Sequence, residues 1–231
     1  MAMWFFIPHS TFLIPNCFYR GAAQLKKTIS QATIDRLPLY FRTLRLAEEE
    51  SLQIISSDEL GRRLDITPEQ IRKDLATFGQ FGRKGIGYDV SELKERIGNI
   101  LGLHNHWRLA IVGIGHLGGA LANYVNFASL GFSVVALLDR DKKIVGHKVN
   151  GIEVCDIASM KEIVASKAVD IGVITVPADE AQGVADLLVA AGVKGIWNFA
   201  PIKLSVPSTV PLVNEDLSVG LSALSYHMSQ E

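Results

Sequence analysis

Three glycines spaced G-x-G-x-x-G, at Gly113, Gly115 and Gly118, are the residues of this 231-residue chain whose types and spacing speak most directly of chemistry. A short apolar run, Arg108 to Val112, leads into them, and a helical pattern through Ala120, Leu121, Tyr124 and Val125 follows. In a strand–turn–helix of this kind the first glycine allows the tight turn. The second lets a pyrophosphate approach the backbone, and the third lets helix and strand pack closely. Alone, the spacing also fits a glycine-rich turn that binds nothing. Here a second apolar run, Phe132 to Leu138, ends at Asp139, about 20 residues past the glycines, where a dinucleotide site places an acid. Asp139 would accept the adenosine ribose hydroxyls and repel a 2′-phosphate, which favours NAD(H) over NADP(H). Arg140, next in sequence, would in principle meet a 2′-phosphate instead. His116 and Leu117 occupy the positions between the glycines.

Later strands would complete the site. Asp170 to Pro177 and Lys194 to Phe199 read as buried strands, and Ala178 to Ala191 reads as the helix between them, ending at Gly192. Alternating strands and helices imply a parallel sheet with right-handed crossovers, and ligands bind beyond the carboxyl ends of such strands. That rule brings Val176, Pro177, Asn198, Phe199, Ala200 and Pro201 to the glycine loop. Val176, Phe199, Ala200 and Pro201 would form an apolar nicotinamide pocket. Oxidised nicotinamide is a cation and the reduced ring is neutral, so such a pocket favours NADH over NAD+.

A different chemistry precedes the loop. Ile34, Leu37, Phe41 and Leu44 mark one face of a first helix, which Pro38 would kink or restart. Ser56 and Glu59 have capping-box spacing for a short second helix. Thr67-Pro68-Glu69-Gln70 starts a third, with Thr67 as cap and Gln70 reaching back. This helix would bury Ile71, Leu75 and Phe78. Two short helices joined by a tight turn describe a helix-turn-helix. The basic, glycine-spaced segment Gly79 to Tyr88 would make a hairpin wing.

From Gly61 to Tyr88 there are six bases and three acids, a local excess of three positive charges in a chain of net charge −1. That is the footprint of a DNA-reading face. Arg72, Lys73 and Thr77 would approach base edges or backbone in the major groove. Arg62, Arg83 and Lys84 would hold phosphates or enter the minor groove, and Gly85 and Gly87 would let the wing turn. Thr67, Gln70 and Tyr88 complete the candidate DNA-contacting set. Val90 to Leu103 reads as a further helix.

The net charge excludes a bulk polycation, and 48% hydrophobic with 20% charged residues describes a core-forming protein. Cys17 and Cys155 are far apart and form no C-x-x-C, which fits a reducing cytoplasm. His104-x-His106 has no nearby cysteine, so no metal site is expected. Residues 1–25 are aromatic and apolar, interrupted by Pro8 and Pro15. They lack the basic start of a signal peptide and an unbroken span, so no membrane partner is expected. They read as an unassigned tail.

The expected organisation is a winged helix-turn-helix domain at 26–105 and a Rossmann-like NAD(H)-binding domain of mixed α/β class at 106–212. A C-terminal helix, with Leu217, Leu221, Leu224 and Tyr226, lies within 213–231. In the second domain, Asn150-Gly151 would turn a hairpin between strands at Ile144-Val145 and Ile152 to Val154.

The chain resembles the Rex family of redox-sensing transcriptional repressors from about Lys26 to its end. The resemblance rests on Ala32-Thr33-Ile34-x-Arg36-Leu37-Pro38-x-Tyr40-x-Arg42 and Ile71-Arg72-Lys73-Asp74-Leu75. It continues through Gly85-x-Gly87-Tyr88, the glycine loop and Asn198-Phe199-Ala200-Pro201. It implies a homodimer whose C-terminal helix is swapped between subunits. It implies a palindromic double-stranded operator with TTGTGAA-like half-sites, from which NADH releases the protein while NAD+ permits binding. It also implies control of fermentation and respiration genes. His116 has no family role that we can assign. Two other readings stay open at this stage. An NAD-dependent dehydrogenase would need a proton donor or acceptor beside the nicotinamide, and the segments expected there offer apolar groups and Asn198. A CoA-binding module would share the glycine-loop sheet but would not require a basic wing.

Overall fold

The computed structural model describes residues 29–83 and 85–229. The tail read at 1–25, and Lys84, lie outside them. The described residues form two compact units, the first running to Leu101 and the second starting at Gly102.

The first unit is helical. Helix α1 spans Gln31–Glu49 and is capped by Ser30, whose hydroxyl accepts from Thr33 N. Pro38 neither ends nor restarts it: the helix runs through. A proline ring removes one main-chain hydrogen bond, and here tertiary packing outweighs that loss, with Leu37, Tyr40, Leu44 and Ala47 fully buried. Strand β1 (Ile54–Ile55) pairs antiparallel with β2 (Tyr88–Asp89). Between them lie α2 (Ser57–Leu64) and α3 (Pro68–Ala76). The link between the two helices turns at Asp65, φ +54°, a left-handed conformation that aspartate tolerates. Helix α4 (Val90–Leu101) packs Val90, Leu93 and Ile97 into the same core.

Both capping boxes form only half of their reciprocal pattern. Ser56 and Thr67 accept from the backbone N–H three residues on. The Glu59 carboxylate turns instead to Arg62 and Arg63, and the Gln70 amide to Asp74.

The second unit is a seven-stranded sheet in the order β5-β6-β4-β3-β7-β8-β9, parallel except for the β5/β6 pair. The strands are β3 (Trp107–Val112), β4 (Phe132–Asp139), β5 (Lys148–Val149), β6 (Ile152–Asp156), β7 (Ile171–Ile174), β8 (Gly195–Asn198) and β9 (Leu212–Asn214). The helices are α5 (His116–Ala122), α6 (Asn126–Ser129), α7 (Met160–Ser166), α8 (Ala178–Ala191) and α9 (Leu217–Met228). Two-residue periodicity sorts β3. Ala110 and Val112 join Met160, Val164, Ala181 and Leu188 on one face. Leu109 and Ile111 join Ala122, Leu137 and Val173 on the other.

The Asn150-Gly151 turn is as read, both residues having positive φ. Its first strand, however, is Lys148–Val149 and not Ile144-Val145. A two-residue turn pairs the residues that directly flank it. The helix after the glycine loop is also shorter than its pattern, stopping at Ala122 before the separate turn of α6. No helix of the described residues is long and apolar enough to cross a membrane.

Candidate functional site: a glycine-loop cavity and a basic helix-turn-helix face

β4 lies on one side of β3 and β7 on the other, so the carboxyl ends of these strands open a crevice where the strand order reverses. The cavity there encloses about 520 Å³, and its lining includes Gly113, Ile114, Gly115, Asp139, Arg140, Thr175, Val176, Pro177 and Glu180.

The three glycines divide their tasks as their spacing requires. Gly113 has φ +95°, and a Cβ there would stand 2.7 Å from Val176 Cγ1. A Cβ on Gly118 would stand 2.0 Å from the carbonyl oxygen of Gly113 and 2.9 Å from Thr175 Oγ1. Gly115 meets nothing within 4 Å, which leaves its backbone open to the cavity. First-turn N–H groups of a helix have no partner within it, and those of α5 follow directly.

Thr175 was not singled out from sequence. Its hydroxyl lies 3.0 Å from Val112 O and 2.7 Å from Gly113 O and fastens the loop to β7. Its place at the end of a buried strand was the available signal.

Asp139 closes the loop from the other side. Its Oδ2 accepts from Ile114 N at 2.6 Å and its Oδ1 from Asp141 N at 2.8 Å. A carboxylate has about four acceptor positions, so the same group still has capacity for ribose hydroxyls. Arg140, read as open toward a phosphate, is paired with Glu180 at 2.5 Å. His116 is exposed and Leu117 half-buried at the start of α5.

The Asn198 to Pro201 segment divides. Asn198 is fully buried and its side chain is spent on the fold. Its amide nitrogen donates to Ala200 O, Ile202 O and Asn214 Oδ1, and its oxygen accepts from Ala200 N. Its side chain is engaged within the fold, where it positions the loop after β8. Ala200 is likewise a core residue. The Phe199 ring lies 4.5 Å from that of Trp197, tilted by 57°, and Trp197 meets Phe127 edge-on in turn. Phe199 and Pro201 do not line the cavity, whereas Val176 and Pro177 do.

In the first unit, the outward side of α2, α3 and the following loop carries the basic candidates. Lys73, Arg83 and Gly85 are exposed, as is Arg62, which reaches to Glu59. Thr67 is spent as the cap of α3, and Thr77 Oγ1 donates to Lys73 O. Arg72 Nη1 donates to Ser57 Oγ at 2.7 Å, bracing α3 against the start of α2. The wing is narrow. Arg83 and Gly87 exchange both backbone hydrogen bonds, at 3.0 and 3.1 Å. Gly85 and Gly87 have φ of +82° and +111°. Ile86, 57% exposed between them, is an apolar wing-tip residue that sequence reading passed over.

Two candidates on this face turn inward. Tyr88, read as a wing contact, is buried in the helical core, because the two-residue strand β2 alternates and its inward position is Tyr88. Gln70 donates to Asp74 at 2.8 Å.

Asp74 is the hub of this unit. It is 1% exposed and accepts from Arg36 Nε (2.6 Å) and Nη2 (2.8 Å), Tyr40 Oη (2.6 Å), Thr33 Oγ1 (3.2 Å) and Gln70 Nε2. Burial pushes its carboxyl up. Hydrogen bonds from Arg36, Tyr40 and Gln70 outweigh that and hold it at about 2. The Tyr40 phenol is pushed up by burial and by Asp74, and Arg36 is raised chiefly by its hydrogen bond to Asp74. The network ties α3, the helix that would read DNA, to α1.

Comparison with known proteins follows the same division. The family model described as a CoA binding domain matches residues 104–202, and one described as a putative DNA-binding protein N-terminus matches 28–76. A redox-sensing transcriptional repressor Rex from Chloroflexus aurantiacus is 46% identical over 198 residues, spanning 86% of this chain and 93% of that protein. One of the same name from Clostridium botulinum is 48% identical over 200 residues, spanning 87% and 95%. The crystal structure of RSP in complex with β-NAD+ and operator DNA superposes with a TM-score of 0.83 at 42% identity, covering 87% of this chain and 93% of that one. The complex of RSP with β-NADH gives 0.81 at 40% identity, covering 88% and 95%.

Proposed function

The chain belongs to the Rex family of redox-sensing transcriptional repressors, and on that membership we propose a division of labour between its two units. Residues 26–105 read operator DNA, 106–212 bind NAD(H), and 213–231 join two copies. The protein represses transcription when NAD+ predominates and leaves the DNA when NADH rises. It works in the cytoplasm, where DNA and the nicotinamide pool meet.

One observation carries this reading: a single chain joins a basic helix-turn-helix face to a glycine-loop cavity bounded by Asp139. The CoA-binding alternative explains the cavity but leaves Lys73, Arg83 and the wing without a purpose. The relatives are named as repressors, and RSP is a member of the same family caught with both nicotinamide forms and with operator DNA.

In this scheme Lys73 and Arg72 face the major groove, and Arg62, Arg83 and Lys84 hold the backbone or the minor groove. Phosphate contacts set register, and base contacts set sequence preference. The residues Gly113, Gly115, Gly118 and Asp139 hold the dinucleotide, with Val176 and Pro177 on its apolar side. A coupling of about 1–3 kcal/mol between the two sites suffices for switching.

The test is a fluorescence anisotropy titration of a palindromic duplex with TTGTGAA-like half-sites, at fixed salt, with NAD+ or NADH present. We expect NADH to weaken binding by about 5–150-fold relative to NAD+ and affinity to fall with added salt. Binding that ignores both nucleotides, or no binding at all, would sink the reading.

Helix α9 supplies the link between copies. Asp216 caps it, accepting from Ser218 N. Its apolar side chains, from Leu217 to Met228, are each more than half exposed in the single chain. Six such residues on one helix favour burial against a second chain, each fully buried large side chain being worth about 1.5–3 kcal/mol. Replacing both Leu221 and Leu224 with aspartate is expected to shift the protein from dimer to monomer in light scattering. Affinity for the palindrome should fall with it by about 100-fold or more, since one bound unit then no longer raises the effective concentration of the second. A double variant that stays dimeric would assign the interface elsewhere.

A further inference from the structure

The lining of the glycine-loop cavity carries four ionisable side chains, Asp139, Arg140, Asp141 and Glu180. Asp139 faces the glycine loop through Ile114 N. Arg140 lines the same cavity and is held in an ion pair, its Nη2 2.5 Å from Glu180 Oε1. Glu180 sits in the first turn of α8 and is the better anchored partner, 20% exposed against 69% for the arginine.

An arginine directly after the acid that ends β4 has the chemistry a 2′-phosphate requires, a permanent charge and a planar fork of donors. By sequence alone, Asp139 argues against the phosphate and Arg140 argues for it. We propose that Glu180 decides between them. By holding Arg140 in an ion pair, it denies an adenosine 2′-phosphate its counter-ion and makes the site select NAD(H) over NADP(H). The proposal rests on the reading of this cavity as a dinucleotide site and deepens it by naming the pair that sets discrimination at the 2′ position.

The strength of the pair itself is not the lever, since exposed ion pairs are weak. The lever is what its rupture leaves behind. If Arg140 moves to a 2′-phosphate, the Glu180 carboxylate is stranded, and Asp139 and Asp141 add repulsion from the same lining. Removing Glu180 frees the arginine and takes away one of the three acids together.

The test titrates the full-length protein with NADH and with NADPH, following nicotinamide fluorescence, for the wild type, Glu180→Gln, Glu180→Ala and the double variant Arg140→Ala/Glu180→Ala. The glutamine variant keeps the size of the half-buried Glu180 side chain, so its thermal melt should stay near the wild type. We expect both single variants to bind NADPH about tenfold tighter than the wild type, with NADH affinity changed by less than about threefold. The double variant should lose that gain, which a merely structural effect of position 180 would not predict. Unchanged NADPH binding in both single variants, with normal NADH binding, overturns the role of Glu180. So does a gain that survives loss of Arg140. If the wild type binds neither nucleotide, the dinucleotide reading falls and this proposal falls with it.

Discussion

Asp74→Ala should lower the thermal transition of the helical unit by about 8–32 °C. The carboxylate is buried and accepts hydrogen bonds from four other side chains. Its removal strands the buried Tyr40 hydroxyl and leaves the Arg36 guanidinium, 24% exposed, without its partner. Leaving such groups unpaired costs about 2–4 kcal/mol, and in a domain of this size each kcal/mol moves the melting point by about 4–8 °C. DNA affinity should fall with it, because the same network fixes α3 on α1.

Acid gives an independent check of the same network. The folded-state carboxyl is held at about 2, below its ordinary value of 3.8. Its contribution, about 2 kcal/mol, is therefore fully present above about pH 4 and lost as the pH falls through about 2. The stability gap between wild type and Asp74→Ala should be constant near neutrality and narrow below pH 4. A variant that melts with the wild type at pH 7 would show that the network carries no net stability.

Gly118→Ala should weaken NADH binding by about 100-fold or more. The added Cβ would stand 2.0 Å from the Gly113 carbonyl oxygen, a backbone atom fixed in turn by Thr175. No side-chain rotation relieves that clash, so the glycine loop must separate from α5. The pyrophosphate would then lose the pre-set arrangement of N–H groups. Loss of two or more charge-assisted hydrogen bonds, at about 1.5–3 kcal/mol each, corresponds to a fall in affinity of about 100-fold or more. The helical unit is untouched, so the variant should still bind the palindrome and should no longer be released by NADH. Wild-type NADH affinity in this variant would show that the cavity is not where the nucleotide binds.

Much of this was legible in the chain itself. The G-x-G-x-x-G spacing and Asp139 located the crevice, because only glycine fits where a helix start, a turn and a ligand crowd one backbone. The caps Ser56 and Thr67 and Pro68 at a helix start marked α2 and α3, because unpaired N–H groups require acceptors at fixed offsets. The excess of bases between Gly61 and Tyr88 marked the basic face of the first unit.

Polar residues whose partners are distant in sequence were not legible. Asp74 read only as one position of the third-helix motif, yet it is the buried hub that joins Thr33, Arg36 and Tyr40. The first-helix and third-helix motifs are thus two halves of one hydrogen-bond network. Asn198 and Tyr88 read as contacts and proved to be interior, because a short strand alternates its faces and only packing decides which face is in. Arg140 read as open to a phosphate until Glu180, 40 positions away, was seen to hold it. Local spacing determined where the glycine loop, the caps and the basic face would be, since those depend on backbone geometry within a few residues. Tertiary structure alone decided which charged and polar side chains face a ligand and which are consumed by the fold, since that depends on partners that the chain brings together only by folding.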